Sequence, residues 1–253
     1  MAGGKLLVRA HRVQGILSIL CLITAMIAMP GHVRAAGAAY AVDTSDINSV
    51  GACKVESWLS WASNQDFTGV TNPVCVVDFI QPVELSAQIS RMRADDDWAT
   101  AFAPKLKMNL WPSAIGSFGL ALSSNASFDA KTGENTSVAV TAPATIRLSE
   151  NMRININGGW LWDRVADQHY LTYGAGFDLR TPDNVWTLTA EIFGLAGQSD
   201  LPSVVEPRFQ VGMRYRPGGG AFSMDVLYGR NIAGEHANWI TVATTIRFVS
   251  PDK

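Results

Sequence analysis

The chain has 253 residues, a formal net charge of −2 and 17 % charged residues, below the ~25 % usual for soluble domains. A near-neutral balance gives no electrostatic ground for binding nucleic acid or an anionic surface. The 22 glycines and 8 tryptophans suit a β-protein with many turns and aromatic side chains at interfaces.

Residues 1–38 read as an export signal. Lys5, Arg9 and Arg12 make a positive start, and Gly15–Met29 is an apolar run of signal-core length, too short for a spanning helix. Pro30 breaks the run. Ala36-Gly37-Ala38 offers a cleavage site and Val33-Arg34-Ala35 a second. Ser18-Ile19-Leu20 is a poor lipoprotein box, so Cys21 leaves with the signal. Residues 39–51 follow as an N-terminal lead on the periplasmic side. Cys53 and Cys75 remain, and an even pair in an exported chain reads as a disulfide. A hairpin of 52–62 and 69–79, turning near Asn64-Gln65, would set them nearly opposite. Closing a loop of about 20 residues would constrain the unfolded chain by about 3 kcal/mol.

From there the chain alternates with period two, the mark of strands with two unlike faces. Val55, Leu59 and Trp61 oppose Lys54, Glu56, Trp58 and Ser60. Pro73 makes the start of the second strand irregular or an edge. Val83, Leu85, Ala87 and Ile89 oppose Glu84, Ser86, Gln88 and Ser90, and Arg91–Asp97 reads as a charged loop. Leu106, Met108 and Leu110 oppose Lys105, Lys107 and Asn109. Phe118–Ser123 and Val138–Leu148 flank a polar loop, Asp129–Asn135, and Ser149–Asn151 is a short turn. In Met152–Trp162 the apolar set opposes Arg153, Asn155 and Asn157. Leu171–Leu179 alternates with Thr172, Gly174, Gly176 and Asp178. Thr181–Asn184 is a turn before Trp186–Ile192, with Glu191 on the polar face. Gly197–Glu206 is a long loop. Arg208, Gln210, Gly212 and Arg214 oppose Phe209, Val211, Met213 and Tyr215. Phe222–Tyr228 and Asn238–Phe248 end the series, the last with Arg247 on its small, polar face, and 249–253 is a tail.

This is an all-β chain: an antiparallel up-and-down barrel of about twelve strands over 52–248, most of a length that crosses a bilayer when tilted. Connections tend to alternate short and long, and an even count puts both termini on the periplasmic side. A soluble barrel turns its apolar faces inward and charges its exterior. Here the polar face is thinly charged and rich in Ser, Thr, Asn and Gly, as suits a watery bore. Trp61, Trp98, Trp111, Trp160, Trp162, Tyr170, Trp186, Tyr215, Tyr228 and Trp239 lie near strand ends, where girdle aromatics belong. The expected setting is a bacterial outer membrane, in contact with its lipid and lipopolysaccharide and inserted by the barrel assembly machinery.

Asn155-Ile156-Asn157-Gly158-Gly159-Trp160-Leu161-Trp162, Tyr173-Gly174-Ala175-Gly176-Phe177, and Tyr228-Gly229-Arg230-Asn231 with Asn238-Trp239-Ile240-Thr241 carry a resemblance. They resemble uncharacterised outer-membrane β-barrels of alpha-proteobacteria, similar to barrel transporters associated with aromatic-compound degradation. The resemblance implies a passive channel for small solutes and no cofactor. Such barrels usually finish on the aromatic residue, whereas Val249–Lys253 follows Phe248 here.

The residues expected to face the bore are Lys105, Lys107, Arg147, Arg153, Arg208, Arg214 and Arg247, with Glu84, Asp178, Glu191 and Asp225. Charge lining a pore sets its selectivity. The competing reading is that these charges pair and close a narrow interior, leaving a structural or surface-interaction barrel. Asp95-Asp96-Asp97 lacks the spacing of a calcium loop and reads as a solvated acidic turn. An outer-membrane hydrolase would need a serine oriented by His169 or His236. No Gly-x-Ser-x-Gly or His-Glu-x-x-His accompanies them, so no enzyme is expected. Asn125-Ala126-Ser127 and Asn135-Thr136-Ser137 match glycosylation sequons that would stand idle in such a membrane.

Overall fold

The structure, a computed structural model, describes residues 39–94, 96–198, 205–217, 220–232 and 237–248. The signal at 1–38, the tail at 249–253, Asp95 and His236 lie outside these residues. Twelve strands run in sequence order. They are β1 (Cys53–Ala62), β2 (Phe67–Asp78), β3 (Pro82–Ala94), β4 (Asp97–Trp111), β5 (Phe118–Asp129) and β6 (Asn135–Arg147). After these come β7 (Met152–Asp163), β8 (Gln168–Arg180), β9 (Trp186–Ala196), β10 (Arg208–Tyr215), β11 (Phe222–Asn231) and β12 (Asn238–Phe248). Each pairs antiparallel with its neighbours, and β12 returns to β1 with Phe248 opposite Cys53 and Trp239 opposite Ala62. No strand is left as an open edge, which is what backbone polar groups require in hydrocarbon.

The two-residue period sorts the side chains. Leu85, Ile89, Phe102, Leu106, Ile156, Leu188, Val226 and Ile240 are exposed on the outer surface. Their strand neighbours Ser90, Lys107, Asn155, Thr189, Asp225 and Thr241 are buried inside. A surface this apolar would be untenable in water and suits lipid. Aromatics gather toward both ends. Phe67 packs against Trp61 and Trp98, and His169 stacks on Trp160 and Trp162. Toward the other end Trp111 stacks on Phe118, and Trp186 meets Tyr215. Two of the expected girdle aromatics point inward instead. Tyr170 packs with Ala139 and Leu161, and Trp239 is 1 % exposed. Their register places them on the inner face, which outweighs the preference of their ring type for headgroups.

Cys53 and Cys75 are register partners and form a disulfide that closes a separation of 22 residues at the start of the barrel. The β1–β2 turn carries Gln65 at φ +72°. Pro73 does not make β2 an edge. The strand runs through it, and β2–β3 pairing breaks between Thr71↔Ile89 and Val74↔Ser86, as a residue without an N–H dictates.

The fully described connections run three to six residues, so the expected alternation of short and long is not seen among them, and 199–204 of the expected long loop Gly197–Glu206 lie outside the described residues. Arg91–Asp97 is not a loop: β3 runs to Ala94 and β4 starts at Asp97, with two residues between them. Asp96 has φ +65°, a left-handed conformation that Asp tolerates and tight hairpins use. The ladder carries on past the apolar belt because charged side chains are at home on strands once the lipid ends.

Candidate functional site

The interior of the barrel is occupied by the chain's own N-terminal segment. Residues 39–51 were expected to lie outside the barrel on the periplasmic side. The structure instead threads residues 39–46 across the bore, each step matched by the wall. Near the strand ends, Asp46 accepts from Arg147 Nη2 at 2.5 Å and from Ser113 Oγ at 2.7 Å, with Arg153 Nη1 at 3.6 Å. Ser45 N–H donates to Thr145 Oγ1 at 2.8 Å, and Asn109 Nδ2 donates to the Ser45 carbonyl at 2.6 Å. Asp43 accepts from Lys105 Nζ at 2.7 Å and Lys107 Nζ at 2.9 Å. The Asn157 carboxamide, oriented to suit its partners, accepts from Asp43 N–H at 2.7 Å and donates to the Asp43 carbonyl at 2.8 Å.

Beyond Asp43 the segment reaches the opposite wall. Ala41 N–H donates to Glu191 Oε2 at 3.0 Å, and Gln210 Nε2 donates to the same oxygen at 2.6 Å. The Tyr40 hydroxyl donates to Asp225, which also accepts from Arg214 Nε at 2.6 Å. The Arg214 guanidinium lies 4.8 Å from the Tyr40 ring centre. Ala39 packs in an apolar cluster with Trp58, Val70 and Ala243, with Tyr40 against it.

The wall leaves room for this segment where it lacks side chains. On β8, Gly174 and Gly176 sit under Val42. A Cβ at 174 would stand 2.9 Å from Val42 Cγ2, and one at 176 would stand 3.4 Å from Val42 Cβ. On β5, a Cβ at Gly119 would meet Ser45 Oγ at 2.6 Å. Three glycines on the inner face thus line the path of the lead, a close backbone approach of the kind glycine permits.

The electrostatics follow from the same contacts. Burial alone would push the Asp43 carboxyl up. The Lys105 and Lys107 ammonium groups and their hydrogen bonds outweigh it and hold Asp43 well below the usual carboxylate range. Burial raises the Tyr40 phenol far above its usual value, and the Arg214 charge does not reverse this, so Tyr40 is a donor at neutral pH.

The residues expected in the bore fall into groups. Lys105, Lys107, Arg147 and Arg153 hold the two aspartates of the lead. Asp178 accepts from Arg153 Nε at 2.6 Å and Asn155 Nδ2 at 3.0 Å. Glu191, Asp225 and Arg214 form the opposite cluster. Glu84 is the register partner of Lys107, and Arg208 is that of Asn231. Arg247 turns to the strand ends, where Nη1 donates to the Gly220 carbonyl at 3.2 Å and Ser223 Oγ at 3.3 Å. Sequence reasoning missed Tyr40, Asp43, Asp46 and Thr145, and it placed Asn109, Asn157 and Gln210 on polar strand faces without counting them among the bore residues. Toward the opposite end, Val205 packs on the Ala139–Leu161–Tyr170 cluster, and Asn231 Nδ2 donates to Glu206 at 3.1 Å. His169 is stacked on two girdle tryptophans.

A closed twelve-stranded antiparallel barrel with an apolar exterior, aromatic ends and a polar bore has the architecture of outer-membrane porin-type barrels. Three solved structures share it. The KdgM porin, solved in complex with disordered oligogalacturonate, aligns at TM-score 0.59 and 10 % identity, over 77 % of this chain and 99 % of that one. The COG4313 outer membrane channel from Pseudomonas putida F1 aligns at 0.56 and 14 %, over 82 % and 100 %. Outer membrane phospholipase A from Escherichia coli aligns at 0.51 and 8 %, over 81 % and 94 %. At such identities the likeness is one of fold, and the fold hosts channels and an enzyme alike. The sequence itself matches one family over residues 24–248, described as uncharacterised conserved protein UCP029691, and the chain belongs to that family. No curated protein matches it.

Proposed function

We propose that this protein is an outer-membrane channel for small solutes whose bore is closed by residues 39–46 acting as a resident plug. The observation that carries the reading is the kind of contact the plug makes. It is a terminal segment held by ion pairs and hydrogen bonds against a polar wall, and such contacts exchange readily for water. A bore meant to stay shut would be expected to be filled from the strands themselves. In this reading the mechanism is diffusion through a polar lumen, selected by size and charge. The outer-membrane lipid covers the apolar belt, lipopolysaccharide surrounds the outer rim, and the assembly machinery inserts the barrel. The sequence resemblance adds an alpha-proteobacterial setting and extends the solutes to aromatic compounds.

A second reading, a closed structural barrel, is favoured by the pairing of Arg153 with Asp178 and of Arg214 with Asp225 within the wall. Single-channel conductance separates the two. The mature protein and a variant lacking residues 39–47 are refolded and placed in a planar bilayer. Discrete steps that are larger or more frequent in the shortened variant support the plugged channel. A shortened variant that is folded, heat-modifiable and silent establishes the closed barrel.

A further inference from the structure

Asp43 and Asp46 are carboxylates three residues apart, each seated on a pair of cations that belong to the barrel. Lys105 and Lys107 project from adjacent inward positions of β4, while Arg147 and Arg153 are register partners on β6 and β7. Neutral donors stand between the two seats: Asn109 donates to the Ser45 carbonyl, and Asn157 meets the Asp43 backbone. Lys107 is 3 % exposed at its side chain. A desolvated ammonium needs an anion, because its charge is otherwise uncompensated. The plug therefore displays, inside the bore, the shape of what this wall binds.

We infer that the wall of Lys105, Lys107, Asn109, Arg147, Arg153 and Asn157 is a binding site for small dicarboxylates, and that such a solute competes with Asp43 and Asp46 and releases the plug. The inference deepens the channel reading and rests on it for the release step, although the site itself does not. Guanidinium and ammonium groups suit the two ends differently: Arg147 and Arg153 can fork to a carboxylate, whereas Lys105 and Lys107 act as point charges. Aspartates three residues apart have Cα atoms within about 10 Å of each other, and the flexible Lys105 and Lys107 stems let the two seats close on a shorter dicarboxylate. The opposite wall differs in chemistry. Glu191 and Asp225 offer acceptors there, whereas on this side Asp178 already occupies Arg153 Nε, and Lys105, Lys107 and Arg147 are the cations an incoming anion meets first.

The probe is glutarate, with butyrate as the single-carboxylate control. Binding to the variant lacking residues 39–47 is measured by calorimetry in detergent, and conductance of the mature protein is measured in a bilayer with each acid added. Glutarate is expected to bind about tenfold or more tightly than butyrate, the value of a second charge-assisted contact. A Lys107→Gln/Arg147→Gln variant is expected to lose that difference. Glutarate, and not butyrate, is expected to raise the open fraction of the mature protein. If the shortened variant conducts but takes both acids alike, the dicarboxylate site is overturned and the channel stands. If it is silent yet binds glutarate in a charge-dependent way, the site stands and the channel falls. A shortened variant that is folded, silent and indifferent to glutarate overturns both.

Discussion

Neutralising the two plug aspartates is the sharpest test of what holds the lead in the bore. In an Asp43→Asn/Asp46→Asn variant the four contacts to Lys105, Lys107, Arg147 and Arg153, at 2.7, 2.9, 2.5 and 3.6 Å, lose their charge. Bonds to a charged group contribute about 1.5–3 kcal/mol each when desolvated, and exposed pairs well under 1. Both aspartate side chains are about a third exposed, at 33 % and 29 %, so the lower part of that range applies. Asparagine keeps a weaker acceptor in each seat. The net loss for the pair is about 3 kcal/mol, to which the stranded charge of Lys107 adds. That shifts the docking equilibrium by about two orders of magnitude. Fixing the backbone of the lead costs about 1–2 kcal/mol per residue, so the docked state has little margin to absorb such a loss. The assay is the rate at which a membrane-impermeant maleimide labels an Ala41→Cys probe, read beside heat-modifiability as a check on the barrel. A rise of about a hundredfold is expected, with Glu150→Gln, on an exposed side chain between β6 and β7, as the neutral control. Unchanged labelling of a folded double variant would refute the view that ion pairs dock the plug.

Three further outcomes follow from the same contacts. Gly174→Val puts a β-branched side chain where Val42 lies. Overpacking of this kind costs about 1–3 kcal/mol, so the variant should expose the lead to labelling while the barrel stays heat-modifiable. Asp43 titrates lower in the docked state than in the free lead. Its contribution to docking is complete above the free value of about 4 and fades as pH falls through the docked one. Conductance should therefore be flat from neutral to mildly acidic pH and rise in strong acid, with the rise absent from Asp43→Asn. Cys53→Ala/Cys75→Ala should lower the resistance of the barrel to urea by about 3 kcal/mol. It should leave labelling of the lead unchanged, because the bridge ties β1 to β2 and touches none of the plug's seats.

The barrel was legible in the sequence because one rule decides most of it. Wherever one face meets lipid and the other a polar bore, residues such as Leu85-Ser86 or Leu106-Lys107 must alternate, and the alternation fixes both strand and facing. Cys53 opposite Cys75 followed from that register. Where the rule stops discriminating, the reading failed. Above the lipid a strand and a loop are both charged, so Arg91–Asp97 looked like a loop although its ladder continues to a tight turn. Near the strand ends an aromatic can face either way, and Trp239 and Tyr170 turned in.

The placement of the lead was the larger miss, and two traces of its position in the bore were present. The expected bore carried seven basic side chains against four acidic ones, an excess that a narrow interior cannot hold without an anion. Gly174 and Gly176 stand on consecutive inward positions of β8, where a plain wall would have used Ser or Thr. Each trace alone has another explanation: water and salt can screen a charge excess, and glycine also serves strand curvature. Together they specify something acidic that approaches the wall closely enough to exclude a Cβ. Asp43 and Asp46 supply the acid, Val42 makes the approach, and residues 39–51 precede β1 with no strand of their own. With Asp43 and Asp46 inside, the expected excess of three basic groups falls to one, so the lead supplies most of the negative charge that the strands leave out.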